Sequence, residues 1–326
     1  MADKKVTLSV VLISWNQLDF LRRLVRQMLD QDYDPADYEV IIVDDGSADG
    51  TQEWLQEQAD PRLVILLSKD MCGRSTSRNR GILKARGKII VMLDGDHTVN
   101  RDFLSIHAAR HRETLCAIVG KSDFADHPDF VALNHYLNNG GAVKLPQDAP
   151  LPGRYFLTRN CSVPKEILLK IGLFDDRYHV WGGEDLDIGA KIEDAGVPIY
   201  GESNALAVHH HLRPLHDLLV NLYEYGRLGV PYVLDRHPRM FRELNLDRLL
   251  PNPFEGDRFS NLRRLLHRLF MLFPFYVCIK FIANLFRRHK LPRWIFDYLH
   301  LRQYGFGYIA SLKSNKTSAD KDGNTY

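Results

Sequence analysis

Cysteine is scarce in this chain: there are four in 326 residues, at positions 72, 116, 161 and 278. They lie far apart, form no CxxC pair and define no framework of close spacings, which argues against a disulfide scaffold and for a reducing setting. A signal-peptide pattern is lacking too, since the apolar run in MADKKVTLSVVLIS is short and feeds straight into a strand–helix pattern. There is no internal repeat. With 45% hydrophobic and 26% charged residues, the composition excludes collagen-like and disordered classes. An unbroken membrane-spanning run is also missing. The segment 269–286, LFMLFPFYVCIKFIANLF, is 18 residues long and interrupted by Pro274, Lys280 and Asn284. A spanning helix needs about 20 apolar residues, so this is a poor candidate.

Net charge is nearly absent as well, at +2, but the total conceals a division. Residues 258–313 carry 11 Lys and Arg against the single acid Asp297, a balance of +10. Residues 1–257 hold 30 basic and 38 acidic residues, a balance of −8. An acidic body joined to a basic, apolar region suggests parts with different partners. The length accommodates one large domain or two smaller ones, each with a real core.

The first half alternates strand and helix signals. The β-branched run Val6–Ile13 reads as a strand buried on both faces, and Leu18, Leu21, Leu24, Val25 and Met28 recur at helical spacing. Strands follow at Tyr38–Val43, Leu63–Leu67 and Lys88–Leu93, with helices at Gln52–Gln58 and Ser75–Ala85 between them. That alternation argues for a parallel α/β sheet, which binds ligands at the carboxyl ends of its strands. Two acidic turns, Asp44-Asp45 and Asp94-Gly95-Asp96, fall at such ends. Beyond a Pro- and Gly-rich loop at Pro146–Gly153, helices are expected at Lys165–Ile171 and from Glu184 to about Ala195. Short strands are expected at Ile199–Tyr200 and Ala205–His211, and helix predominates from about Leu212. The apolar segment 269–286 is flanked by Arg263, Arg264 and Arg268 on one side and Arg287, Arg288 and Lys290 on the other. This pattern suits a helix lying in an anionic membrane interface. A buried helix with a solvated basic face gives the same pattern. The polar tail from Ser314 reads as disordered.

Three groups of residues could carry chemistry. Asp94 and Asp96 flank a glycine after a buried strand, so both carboxylates can turn the same way and hold a divalent cation with a diphosphate. Acidic turns are common, however, and this one alone is weak. Glu184-Asp185 follows Trp181-Gly182-Gly183, where glycines allow close backbone approach and the indole offers a flat surface to a sugar. A carboxylate at a helix N-terminus is stabilised as the anion and suits a general base, although helix capping explains it equally. In His209-His210-His211 the outer two share one face of a strand and could ligate a metal. Histidine runs are more often surface features.

The series Ser14-Trp15-Asn16, Asp44-Asp45-Gly46-Ser47, Arg78-Asn79-Arg80-Gly81, Asp94-Gly95-Asp96, Trp181-Gly182-Gly183-Glu184-Asp185 and His209 resembles the family-two glycosyltransferases with the GT-A fold. The Trp-Gly-Gly-Glu-Asp segment resembles that of the β-1,4-galactosyltransferases and polypeptide GalNAc-transferases. The likeness covers residues 6 to about 215 and implies a Rossmann-like mixed sheet flanked by helices. The organisation it implies is a catalytic domain over 1–215, with a nucleotide-binding half (1–120) and an acceptor half (121–215). A basic helical region (216–313) and a disordered tail (314–326) would follow.

By that resemblance Ser14, Asn16 and Asp45 contact the nucleotide, Arg78 steadies the diphosphate and Asp94 lies near the ribose. Asp96 ligates Mn²⁺ or Mg²⁺, with His209 as the first choice of histidine ligand and His211 the second. Asp185 deprotonates the acceptor hydroxyl, Glu184 orients substrate hydroxyls, and Trp181 and Gly183 contact the sugar. The implied reaction is an inverting transfer from a nucleotide-sugar, with UDP as the expected nucleotide, to a saccharide or lipid-linked acceptor. Its implied setting is polysaccharide or glycoconjugate synthesis at the cytoplasmic membrane face, with an anionic membrane surface as partner and no nucleic acid. Trp15 departs from the family's usual tyrosine, and nothing in 121–152 or beyond 212 matches a family motif. Two other classes share some of these features. A nucleotidyltransferase or pyrophosphorylase would carry a glycine-rich phosphate loop near the N-terminus, yet residues 12–18 contain no glycine. A non-catalytic sugar-binding protein would have no need of Asp185 or the metal acids.

Overall fold

In the first strand, alternate side chains go to two separate cores. Leu8, Val10 and Leu12 pack on one face and Val11 on the other, all essentially inaccessible to solvent. Consecutive apolar residues that alternate between two cores are the mark of a strand covered on both faces. The computed structural model describes residues 7–140, 149–178 and 181–322, with side chains to Ser314. Outside the described residues lie Val6 of the expected opening strand, 146–148 of the expected loop and 323–326 of the expected tail.

The strands are β1 (Leu8–Ser14), β2 (Tyr38–Asp44), β3 (Leu63–Leu67), β4 (Ile89–Asp94), β5 (His97–Val99), β6 (Ala117–Phe124), β7 (Asn160–Pro164) and β8 (Ile199–His209). They form one eight-stranded sheet in the order β3-β2-β1-β4-β7-β6-β8-β5. Strands β1 to β4 run parallel, as the strand–helix alternation requires. β7 lies antiparallel between β4 and β6, and β5 is antiparallel to β8. The sheet is therefore mixed and flanked by helices, rather than wholly parallel. Two strands expected at 199–200 and 205–211 are one strand, Ile199–His209, whose register with β6 shifts between Gly120 and Ser122.

Helices Arg74–Lys84, Lys165–Lys170 and Glu184–Asp194 contribute Ile82, Ile167, Leu168 and Ile188 to one core. Helices Leu18–Leu29 and Phe103–Glu113 bring Leu21, Leu24, Met28, Phe103 and Leu104 to the other. Since β1, β2 and β4 run parallel, their carboxyl ends coincide at one edge. Ser14 pairs with Asp44, and Ile13 with Asp94. Both acidic turns therefore emerge side by side.

The chain divides into two compact units. The first holds residues up to 125, then 137–177 and 184–212, and so contains the sheet. The second comprises 126–136, 178–183 and 213–326. It is helical, with Leu215–Glu224, Val230–Arg236, Asn261–Phe270, Phe273–Leu285 and Arg293–Asp322 as its main elements. Its buried side chains include Phe241, Leu246, Leu249, Phe296 and Leu299. The segments 126–136 and 178–183 belong with this unit, which no single boundary near 215 expresses. The last helix continues to Asp322, so residues 314–322 are helical where the polar composition suggests disorder. The apolar run divides at Met271–Leu272, where Pro274 can start a helix but cannot continue one.

Candidate active site

Asp94 ends β4, and the chain turns through Gly95 to Asp96 and into β5. The Gly95 N–H donates to the Ile13 carbonyl at 3.1 Å. A Cβ on Gly95 would lie 2.9 Å from that carbonyl oxygen and 2.3 Å from Nε2 of Gln17. Only glycine lets the acidic turn sit this close to β1, which sets the spacing of the two aspartates. Their side chains then take different partners.

Asp96 lies between two imidazoles. Nε2 of His209 donates to its Oδ2 at 2.8 Å, and Nδ1 of His97 to its Oδ1 at 3.0 Å. The rings of His97 and His209 stack with centroids 4.6 Å apart and planes 1° from parallel. This follows from the β5–β8 ladder, where His97 and His209 are direct partners. Burial pushes the Asp96 carboxyl up, but the hydrogen bonds and charges of His209 and His97 outweigh it and hold the group well below the usual carboxylate range. Ligand atoms of Asp96, His97 and His209 lie within 4.8 Å of one another. His97 Nε2 and His209 Nδ1 are buried without hydrogen-bond partners among the described residues. A carboxylate and imidazoles converging in this way fit a borderline divalent ion such as Mn²⁺, whereas Mg²⁺ favours oxygen ligands throughout.

Asp94 turns instead to Arg78, whose Nη2 donates to Oδ1 at 3.1 Å. Nη1 of the same guanidinium lies 3.6 Å from Oε1 of Glu184. Arg78 and Glu184 are both buried, at 3% and 6% exposure, so this link operates at low dielectric. Burial and the neighbouring Asp185 charge raise the Glu184 carboxyl above its ordinary pKa, against the pull of Arg78 and Arg74. Asp185 occupies the first turn of the helix Glu184–Asp194, where backbone N–H groups favour an anion. Its Oδ1 accepts a 2.5 Å hydrogen bond from the hydroxyl of Thr158, a buried residue.

At the ends of β1 and β2, Asp44 shapes the turn by accepting from the backbone of Gly46 and Ser47 and from the Gln52 amide. Asp45 reaches over to the loop before the helix Arg74–Lys84. Its Oδ1 accepts from the Cys72 N–H and the Ser77 hydroxyl, and its Oδ2 from the Gly73 N–H. Three of roughly four acceptor positions are thus filled, leaving one on Oδ2 for a ligand N–H. Asn16 is held by the Asp44–Ser47 turn, donating its N–H to Ser47 and accepting from the Ala48 N–H. The Ser14 hydroxyl is buried without a partner among the described residues.

The fold thus brings together Asp94, Asp96, His209, Arg78, Glu184 and Asp185, and holds Ser14, Asn16 and Asp45 on adjacent strand ends. His211 lies beyond the end of β8, exposed and outside the carboxylate–imidazole cluster, while His210 turns away to Thr98. Trp181 and Gly183 belong to the second unit. Trp181 is 36% exposed there, and Gly183 has φ of +104° with no room for a Cβ beside Tyr178. Three residues of the site escaped the motif reading: His97, Thr158 and Arg159. His97 adjoins Asp96 in the sequence and could have been suspected from that. Thr158 and Arg159 carry no signal until β7 is known to pair with β4. A shallow cavity of about 790 Å³ lies elsewhere, lined by Arg86, Lys88, Arg112 and Lys165 at the opposite ends of β4 and β7.

Residues 9–167, just under half of the chain, match the model of glycosyl transferase family 2. An uncharacterized glycosyltransferase, YfnE of Bacillus subtilis, is 23% identical over 76% of this chain and 75% of its own length. The validoxylamine A glucosyltransferase of Streptomyces hygroscopicus subsp. limoneus is 25% identical over 73% of this chain, which spans only 58% of that longer protein. Among solved structures, a mannosyltransferase from Pyrobaculum calidifontis in complex with GDP-Man and Mn²⁺ superposes with a TM-score of 0.63. That match covers 94% of this chain and 86% of the other at 18% identity, a likeness of fold. Together these matches show a glycosyltransferase of GT-A fold, with the family-two likeness confined to residues 9–167.

Proposed function

We propose that this chain, a hexosyl-transferring glycosyltransferase of GT-A fold, moves a sugar from a nucleotide-sugar to a hydroxyl acceptor with inversion at the anomeric carbon. The observation that carries the reading is the link made by Arg78, which joins Asp94 of the acidic turn to Glu184, the neighbour of Asp185. A donor-side acid and an acceptor-side base thereby share one buried frame. Asp96 and His209, with His97 beside them, would hold Mn²⁺, which supplies positive charge against the departing diphosphate.

In the proposed step the free oxygen of Asp185 takes the proton from the acceptor hydroxyl, and the acceptor oxygen forms its bond to the anomeric carbon. The bond from that carbon to the phosphate oxygen breaks as the nucleoside diphosphate leaves on the opposite side, so configuration inverts. Thr158 keeps Asp185 in one orientation. Glu184 contacts substrate hydroxyls, and Trp181 and Gly183, which precede it directly in the chain, contact the sugar. UDP is the proposed nucleotide, because the one acceptor position left on Asp45 suits the uracil imide N–H. The acceptor is proposed to be a saccharide or a lipid-linked saccharide.

Attachment to the cytoplasmic membrane face forms part of the same reading. No helix among the described residues is long and apolar enough to cross a membrane, although the pair Asn261–Phe270 and Phe273–Leu285, bent by 54°, passes on length and composition. These helices expose Leu262, Leu266, Leu269, Phe273, Phe281 and Leu285 within the basic segment. That face suits an interface of anionic lipid.

The test is a screen of nucleotide-sugars for Mn²⁺-dependent release of nucleoside diphosphate, with the anomeric configuration of the product read by NMR. A retained configuration would refute inversion, and turnover unchanged by a chelator would refute the metal site. Cosedimentation with phosphatidylglycerol vesicles, for the native chain and a Phe273→Asp, Phe281→Asp variant, tests attachment. Equal binding by both would refute it.

A further inference from the structure

One cation at the acidic cluster has no acid of its own. Arg159 immediately precedes β7, beside Asp94, whose N–H donates to the Arg159 carbonyl at 3.4 Å. Its guanidinium lies 5.3 Å from the centre of the Phe124 ring, which in turn packs 4.6 Å from the His209 ring. The side chain is therefore on the His209 side of the acidic turn. Among the described residues this guanidinium makes no hydrogen bond and no ion pair, and its Nε is buried with no partner. Asp94, Asp185, Asp96 and Asp123 all contribute to its electrostatic surroundings, and burial still lowers its pKa from the ordinary arginine value. The group remains a cation at any working pH.

Arg78 contrasts with it. It is the sequence's candidate for the diphosphate, but it is ion-paired to both Asp94 and Glu184, so its charge is already matched. Arg159 is half-buried, and its enclosed Nε has no partner among the described residues. An enclosed N–H left without a hydrogen bond is costly, and a ligand can complete it.

Resting on the nucleotide-sugar reading above, we infer that Arg159 grips the distal phosphate of the donor, the group that becomes the leaving end of the nucleoside diphosphate. Arg78 then acts as a positioning residue for Asp94 and Glu184. A guanidinium presents a fork of N–H donors that matches two phosphate oxygens, and its charge meets the one that develops as the glycosidic bond breaks.

Calorimetric titration of the full chain in Mn²⁺ with UDP and UMP separates the possibilities, alongside GDP and GMP. The native protein should bind the diphosphate more tightly than the monophosphate. Arg159→Ala should weaken UDP by about tenfold or more, the range of a charged hydrogen bond, and leave UMP unchanged. Arg159→Lys should recover part of the loss. Thermal melts of both variants confirm that they are folded. Equal weakening of UDP and UMP, or unchanged UDP binding, would overturn the assignment. Unchanged UDP binding with selective loss of a uronic-acid nucleotide-sugar would assign Arg159 to a sugar carboxylate instead. A native protein that binds none of the four nucleotides would overturn the donor reading itself.

Discussion

The Thr158 hydroxyl donates a 2.5 Å hydrogen bond to Oδ1 of Asp185, so one oxygen of the proposed base is anchored and the other is left for an acceptor hydroxyl. Asp185→Asn should lower kcat by about 10²–10⁴-fold, the usual contribution of a general base, with donor affinity intact. Thr158→Val should lower kcat by about tenfold with little change in the donor KM, and Thr158→Ser should restore most of it. Steady-state kinetics at saturating donor distinguishes these outcomes. An Asp185→Asn enzyme with full transfer would remove the base assignment.

The stacked pair His97 and His209 supports a graded prediction for metal binding. His209→Ala removes a proposed ligand and should abolish Mn²⁺-dependent turnover. His97→Ala should raise the half-saturating Mn²⁺ concentration by about 10–100-fold, as the loss of an orienting partner does, and excess metal should restore activity. Titrating Mn²⁺ into the chelator-treated protein and both variants measures this directly.

Gly95→Ala is expected to separate folding from activity. The added Cβ would push on the Ile13 carbonyl, a rigid backbone atom, as well as on the flexible end of Gln17. The cost should be about 1–3 kcal/mol of stability, as for other overpacked sites. Activity should fall further than stability, because the turn that places Asp94 and Asp96 must shift. Chemical unfolding and kinetics on the same preparation make the comparison.

Acid should weaken the fold through two histidines of the first unit. His107 bonds to Ser162 and Asn160, and His111 to Ser162, all inside the first unit. Burial lowers their pKa values to about 3 and about 4. The unfolded chain takes up these protons near pH 6.5, so between that pH and about 4 it binds more protons than the native state. Stability therefore rises with pH through this window. It is fully present above about 6.5 and is lost as pH falls, at up to about 1.4 kcal/mol per pH unit for each histidine. Glu184, with its raised pKa, acts in the opposite sense above its ordinary value and reduces the net slope. Asp96 loses its contribution only below the ordinary carboxylate range. Urea unfolding at pH 7, 6 and 5 should show the decline, and His107→Asn should flatten it.

The legible parts of this protein were those written in local periodicity. β1 to β4 and the helices between them follow from apolar spacing, because a strand covered on both faces and an amphipathic helix each leave a signature within a dozen residues. The acids Asp94, Asp96, Glu184 and Asp185 were legible as motifs, since glycine-bounded turns and helix starts are local events too. β6 and β7 were not, because the antiparallel pairing that joins β4 to β6 through β7 links residues about 70 positions apart.

The sequence by itself therefore determined the strand–helix alternation, the positions of the acidic turns and the division between an acidic body and a basic, apolar region. Tertiary structure alone decided which side chains meet. The β5–β8 ladder placed His97 opposite His209 and left His211 beyond the strand. The β4–β7 ladder brought Thr158 and Arg159 to the acids. Burial between two helix-covered faces ion-paired Arg78 and left Arg159 without an acid of its own. Chain-local preferences select the elements, but hydrogen-bond register across the sheet selects neighbours, and register depends on how the whole sheet packs.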